Sequence, residues 1–169
     1  MNEIAATTAF LTLVVLAGAS DLRTRRIPNA LTVTGLGIAL ALRGAIGIEP
    51  LAIGLMGALI AFVPAVLLVL LGGLGGGDAK LLAAVGAFVG PAGLPTTLFV
   101  TAVVGGAMGA VAVLRRGALG ATVASCRSIL ATPFGMSTEP LPRLGAPGVI
   151  AIPYGVAIGA GALAGWWWP

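Results

Sequence analysis

Residues 51–74 read LAIGLMGALIAFVPAVLLVLLGGL and contain no charged side chain. A helix needs about 20 apolar residues to cross the hydrocarbon core of a bilayer, so this stretch predicts a transmembrane helix. The whole chain has the same character, because 59% of its 169 residues are hydrophobic and 8% are charged. In a soluble domain about a quarter of the residues are charged. The composition therefore excludes a water-soluble globule and indicates a chain embedded in the lipid bilayer.

Five further apolar stretches predict additional crossings. The fourth in chain order starts after Asp78 and Lys80 and runs through Phe88. It is short for a span, and we expect residues 91–94 to complete its helix. The other predicted spans cover residues 4–20, 30–48, 96–114 and 149–168. The predicted fold is all-α: a polytopic membrane protein with a bundle of about six transmembrane helices, forming one domain over residues 1–169.

The distribution of basic residues predicts the topology. If all six segments cross, eight of the nine Lys and Arg residues lie on one side and Arg43 lies alone on the other. If the fourth segment does not cross, the split becomes four to five. The positive-inside rule favours the first arrangement, with both termini outside the cytoplasm. We interpret the basic excess as this topology signal and expect no nucleic-acid partner.

Few chemistries are open to this chain. It contains no histidine and one cysteine, Cys126. A histidine base, a histidine metal ligand and an internal disulfide are therefore excluded. We expect no metal and no cofactor.

Pairs of glycines at small-xxx-small spacing predict close helix packing in lipid, and the three C-terminal tryptophans are expected to form an interfacial aromatic belt. The glycine pairs are 86/90, 105/109, 155/159 and 161/165.

The only two aspartates, Asp21 and Asp78, are both predicted at the cytoplasmic membrane boundary. Ionisable groups at membrane depth point to function. A structural alternative exists for each, because Asp21 can balance the arginines that follow it and Asp78 can serve as a helix N-cap. These alternatives leave the three glycines at 75–77 unexplained, although glycines would let a second chain approach Asp78 closely. Two carboxylates that share one proton can activate water on a peptide carbonyl without any other group.

Three elements of the sequence resemble the type IV prepilin peptidases, a family of membrane aspartyl proteases. GGGD at 75–78 is similar to the GxGD motif of such proteases, and DLRTRRIPN at 21–29 narrows the resemblance to this family. IPYG at 152–155 is similar to a Pro-aromatic-Gly element late in those enzymes. Together the elements span nearly the whole chain.

The resemblance implies a peptidase of the bacterial inner membrane, with its active site facing the cytoplasm. Its substrate would be a prepilin, whose short basic leader precedes a hydrophobic helix, and Asp21 and Asp78 would be catalytic. Longer family members carry paired cysteines and also methylate the new pilin N-terminus. This chain has only Cys126, so no methyltransferase activity is expected. Its short form is similar to the peptidases of tight-adherence, or Flp-type, pili.

Five other residues are candidates for support of the dyad or contact with substrate. Arg23 and Arg26 can orient Asp21 or meet an acidic residue of the pilin, although a topology role alone also accounts for them. Lys80 lies two positions after Asp78 and can instead extend its amine to the membrane interface. The remaining candidates are Gly75 and Gly77. Two rival functions stay open: a non-catalytic pilus-assembly scaffold and a small transporter.

Overall fold

The computed structural model describes residues 3–116 and 152–169, and every regular element in these ranges is a helix. The all-α prediction is confirmed for this part of the chain. Cys126, Glu139 and most of the long loop before the last span lie outside the described residues. The helices are α1 (Glu3–Thr24), α2 (Asn29–Gly44), α3 (Ile48–Leu70), α4 (Gly76–Arg116) and α5 (Tyr154–Trp167).

A tight turn joins α1 to α2. Arg25 follows the last residue of α1 and has a φ of 52°, which is the left-handed conformation that commonly ends a helix. Its N–H donates to the Asp21 carbonyl at 2.9 Å. The Ser20 and Thr24 hydroxyls both donate to the Arg26 carbonyl, at 2.8 and 3.2 Å. The turn is therefore held by α1 itself, and it delivers the chain through Pro28 into α2.

Helix α4 is 41 residues long and is broken at Gly90, where φ is 71° and ψ is 179°. We call residues 76–89 α4N and residues 91–116 α4C. The prediction that residues 91–94 complete the fourth helix is wrong. Pro91 lacks the N–H that would continue the hydrogen-bond ladder, and only glycine adopts the conformation of Gly90 without strain. Residues 91–94 therefore begin the second helical half.

The two halves of α4 run in opposite directions. At one end of α5, Phe88 lies 6.5 Å from Trp166 between ring centroids, and Gly93 lies against Gly165. At the other end of α5, Tyr154 lies near Asp78 and packs on Gly105. Within the described ranges there are thus six helical segments, and their directions alternate along the chain.

Arg43 closes the break in α4. Its Nε donates to the Ala87 carbonyl at 2.8 Å and its Nη2 to the Phe88 carbonyl at 2.7 Å. These are the carbonyls that lose partners where the helix ends, since position 91 is proline. The sequence identified Arg43 only as the lone basic residue on its predicted side; the structure gives it a role as a C-terminal cap of α4N.

Glycines let the helices approach to backbone contact, as their spacing predicts. Gly57 of α3 meets Gly86 of α4N, while Gly161 and Gly165 of α5 meet Thr97 of α4C. These contacts join α4N to α3 and α4C to α5. They also explain the arrangement of the core, where α4N is buried along most of its length.

The C-terminal tryptophans do not act together as a belt. Trp166 stacks on Phe10 with ring centroids 4.7 Å apart and also meets Phe88. Trp167 and Trp168 are exposed. The belt prediction is wrong for Trp166, because α5 directs that ring towards α1 and α4N and the next two away from them.

Within residues 3–116 and 152–169, three helices are long and apolar enough to cross a membrane: Glu3–Thr24, Ile48–Leu70 and Gly76–Arg115. The last of these contains both halves of α4. Many large apolar side chains on the helices are exposed, as expected for surfaces that face lipid. The predicted second span reached residue 48, but α2 ends at Gly44 and Ile48 begins α3. The chain is a membrane protein, and six crossings remain a prediction.

Candidate active site

Asp21 lies in the last turns of α1 and is buried, with 5% of its surface exposed. Its Oδ2 accepts a hydrogen bond of 2.6 Å from the backbone N–H of Gly155. Gly155 is the second residue of α5, so its N–H has no partner within that helix. The first turn of α5 thus supplies a donor that orients this carboxylate, and the positive end of the helix dipole favours its negative charge.

Gly155 can serve this role because it has no side chain. A Cβ atom there would lie 2.9 Å from Asp21 Oδ2 and 3.1 Å from Ile27 Cδ1. Both distances are shorter than ordinary contacts, so a larger residue would displace the carboxylate or the isoleucine. The contact between α1 and α5 at this point therefore depends on glycine.

Asp78 lies in the first turn of α4 and is half-buried. The Ala79 N–H donates to the Gly75 carbonyl at 3.2 Å, which makes Gly75 the N-cap residue. Asp78 is the third helical residue, a position from which a side chain reaches back to the N-cap. A Cβ on Gly75 would lie 2.7 Å from Asp78 Oδ2. The alternative of Asp78 as the N-cap itself is wrong, because the helix begins two residues earlier.

The fold brings the two aspartates together although they are 57 positions apart in the chain. Their carboxylates lie close enough for their charges to interact. Asp21 is on the buried side of the pair, and Asp78 is the more accessible of the two. This combination of a held carboxylate and an accessible one can bind a water molecule between them and move its protons.

Ile27 fills the space between the segments that carry the aspartates. Its Cβ and its carbonyl oxygen each lie 3.3 Å from the position that a Cβ on Gly77 would occupy. Its Cδ1 lies against Gly155. Position 77 therefore favours glycine because the α1–α2 turn of the same chain comes close to the start of α4. The sequence had suggested glycines there for the approach of a second chain.

The basic candidates are at the edge of this arrangement. The Arg23 and Arg26 side chains are exposed, and Arg26 contributes its carbonyl to the turn. Lys80 is also exposed, and its Nζ donates to Asn29 Oδ1 at 2.8 Å. That bond ties the start of α2 to the second turn of α4 beside the aspartates. Lys80 is thereby connected to the site through Asn29, which the sequence had not suggested.

Sequence reasoning missed Gly155, Tyr154 and Ile27 as residues of this site. The first two belong to the IPYG element and the third to the segment after Asp21, so all three stood within stretches already singled out. No sequence pattern indicated that Asp21 and Gly155, which are 134 positions apart in the chain, are in contact. Among residues 3–116 and 152–169, no group of three potential ligands is arranged to hold a metal ion.

Residues 8–110 match the model of the type IV leader peptidase family. The matched range includes both aspartates and ends before α5. No curated protein and no solved structure matches the chain.

Proposed function

Because this chain belongs to the type IV leader peptidase family, we propose that it is an aspartic endopeptidase with Asp21 and Asp78 as its catalytic pair. The observation that carries the proposal is the meeting of these two carboxylates at the ends of three helices. Carboxylates that repel each other favour a state in which they share one proton. That state provides a base and an acid in the same site.

The mechanism needs no other reactive group. A water molecule between the carboxylates loses a proton to the ionised one and attacks the scissile carbonyl. The protonated carboxyl donates its proton to the carbonyl oxygen as the tetrahedral intermediate forms. As the C–N bond breaks, the proton held by the first carboxyl passes to the leaving amine, and a hydroxyl proton of the intermediate returns to the second carboxylate, which restores the starting state of the pair. The two groups titrate as a pair, so the proton belongs to both.

The proposed substrate is a prepilin of the Flp type, cut at the cytoplasmic face of the bacterial inner membrane to remove its short basic leader. The asymmetry of basic residues supports this orientation. The accessibility of Asp78 supports entry of an extended leader from the aqueous side. In this proposal Arg23 and Arg26 meet an acidic residue of the pilin, and no methylation of the product follows.

A non-catalytic scaffold for pilus assembly is the second candidate. Such a protein would need the helix packing but not the carboxylates. The hydrogen bond from Gly155 to Asp21 favours the peptidase, because it fixes the direction of a buried carboxylate. A small transporter is disfavoured by residues 51–74 and 96–114, which carry no charged group.

Co-expression with a candidate prepilin tests the proposal. Cleavage is scored by the mobility shift of the pilin and by the N-terminal sequence of the product. Asp21→Asn and Asp78→Asn should each reduce cleavage by several orders of magnitude while membrane insertion stays normal. The double variant should be little worse than either single one, since residues that act as a unit are strongly non-additive.

Glu49→Gln is the matched control, because Glu49 is an exposed acid in the first turn of α3. It should cleave like the native protein. Near-normal cleavage by inserted Asp78→Asn would refute the catalytic pair. Cleavage that is absent from the native protein with all Flp-type prepilins tested would instead refute the substrate.

A further inference from the structure

Ile27 is buried next to the two aspartates but takes no part in the proposed chemistry. It is the third of the four residues, 25–28, that join α1 to α2, and 8% of its surface is exposed. The residues on either side of it in the chain, Arg26 and Pro28, are exposed. A single buried isoleucine within a polar turn indicates a specific contact, since burial of one side chain from an exposed segment requires a prepared space.

The space is bounded by two glycines that each border an aspartate. Gly77 directly precedes Asp78 and faces Ile27 Cβ. Gly155 donates its N–H to Asp21 and faces Ile27 Cδ1. The Cβ of Ile27 therefore lies beside the glycine that precedes Asp78, and its Cδ1 lies beside the glycine that holds Asp21.

The turn keeps Ile27 in this place. Arg25 is in the left-handed conformation, and its N–H donates a hydrogen bond to the backbone carbonyl of Asp21. The Arg26 carbonyl accepts hydrogen bonds from two hydroxyls of α1. Pro28 restricts the backbone of Ile27 to extended conformations. Ile27 is thus a rigid extension of α1, with its β-branched side chain restricted at χ1.

We propose that Ile27 is a positioning residue, which sets the separation of the Asp21 and Asp78 carboxylates by spacing Gly155 from Gly77. The inference rests on the proposed function, since the separation matters only if the pair acts on a shared water. Shortening the side chain by one methyl group would let α5 and the start of α4 move relative to α1. A displacement of about 1 Å at a catalytic group can reduce the rate about 100-fold.

Ile27→Val tests the proposal, because valine keeps the Cβ branch that faces Gly77 and removes the Cδ1 that reaches Gly155. Ile158→Val is the matched control: Ile158 is fully buried in α5, one turn beyond Gly155, and loses the same atom. We expect the kcat of Ile27→Val to fall about 10-fold with KM unchanged, and Ile158→Val to stay within about twofold of native. Native kcat in Ile27→Val, or equal losses in the two variants, would overturn the proposal.

A second measurement reads the geometry without activity. Cysteines replace Asp21 and Asp78 in a Cys126→Ala background, and bifunctional thiol reagents of increasing length cross-link them. Adding Ile27→Val should shift the preferred reagent length or slow the shortest cross-link several-fold, whereas adding Ile158→Val should not. Identical cross-linking with and without Ile27→Val would also overturn the proposal. Failure of the native protein to cleave any prepilin would refute the proposed function and leave this geometric result standing.

Discussion

Gly155→Ala is the sharpest single test of how α5 serves the active site. The new Cβ would lie 2.9 Å from Asp21 Oδ2 and 3.1 Å from Asp21 Cβ, where ordinary contacts begin at 3.4 Å. The carboxylate or α5 must therefore shift by about 0.5 Å, and the 2.6 Å hydrogen bond from the Gly155 N–H must lengthen or bend. Since a 1 Å misplacement can cost about 100-fold, we expect kcat for prepilin cleavage to fall about 10-fold.

Gly18→Ala is its control, because Gly18 lies in α1 one turn before Asp21 and a Cβ there meets nothing within 4 Å. This change replaces the same residue type in a helix and stabilises that helix by about 1 kcal/mol. Its kcat should equal that of the native protein. The assay is initial-rate cleavage of a purified prepilin in detergent or liposomes. A Gly155→Ala protein that cleaves at the native rate, or a Gly18→Ala protein that loses as much, would refute the reasoning.

Three other predictions address the fold, the chemistry and the topology. Arg43→Met should lower the thermal stability in detergent, because it leaves the carbonyls at the α4 break without donors. Each buried carbonyl without a donor destabilises the fold by about 1–3 kcal/mol. Arg43→Lys should recover part of the loss, and unchanged melting of Arg43→Met would contradict the capping role. Prepilin cleavage should survive strong chelators, and its loss with recovery on adding zinc would make the aspartates metal ligands. Cysteines placed at Thr24 and Ser137, in a Cys126→Ala background, should be labelled only from the cytoplasmic side. Labelling at position 137 from outside would show that α4N does not cross.

Hydropathy predicted the helical class, because lipid requires every span to satisfy its own backbone hydrogen bonds. Glycine spacing predicted close packing, and the contacts of Gly86, Gly161 and Gly165 confirm it. Both are local properties, readable along one helix. The break at Gly90 also has a local signal in the sequence, which is a glycine followed by a proline. The sequence analysis nevertheless extended the helix through residues 91–94, because the fourth span was otherwise too short to cross the bilayer.

Contacts between distant segments were beyond such reasoning. The stacking of Trp166 on Phe10 and the capping of α4N by Arg43 depend on which helices become neighbours. The same holds for the bond between Gly155 and Asp21. Periodicity states which face of a helix is apolar, but not which other helix covers it. The aspartates could be singled out because they are rare, whereas an isoleucine and a glycine that position them are common residues in a chain of this composition.

The donor that holds Asp21 is a peptide group, and this has a consequence for genetics. No codon specifies that hydrogen bond, since every amino acid except proline would supply the same N–H at position 155. Substitutions at position 155 would therefore keep the donor and add side-chain volume beside the carboxylate. Any loss of activity that they cause would be attributed to crowding and not to the hydrogen bond. Replacing the amide by an ester at that peptide bond removes the donor and adds no bulk. Chemical synthesis or an α-hydroxy acid introduced by codon suppression is thus the route by which this interaction becomes visible.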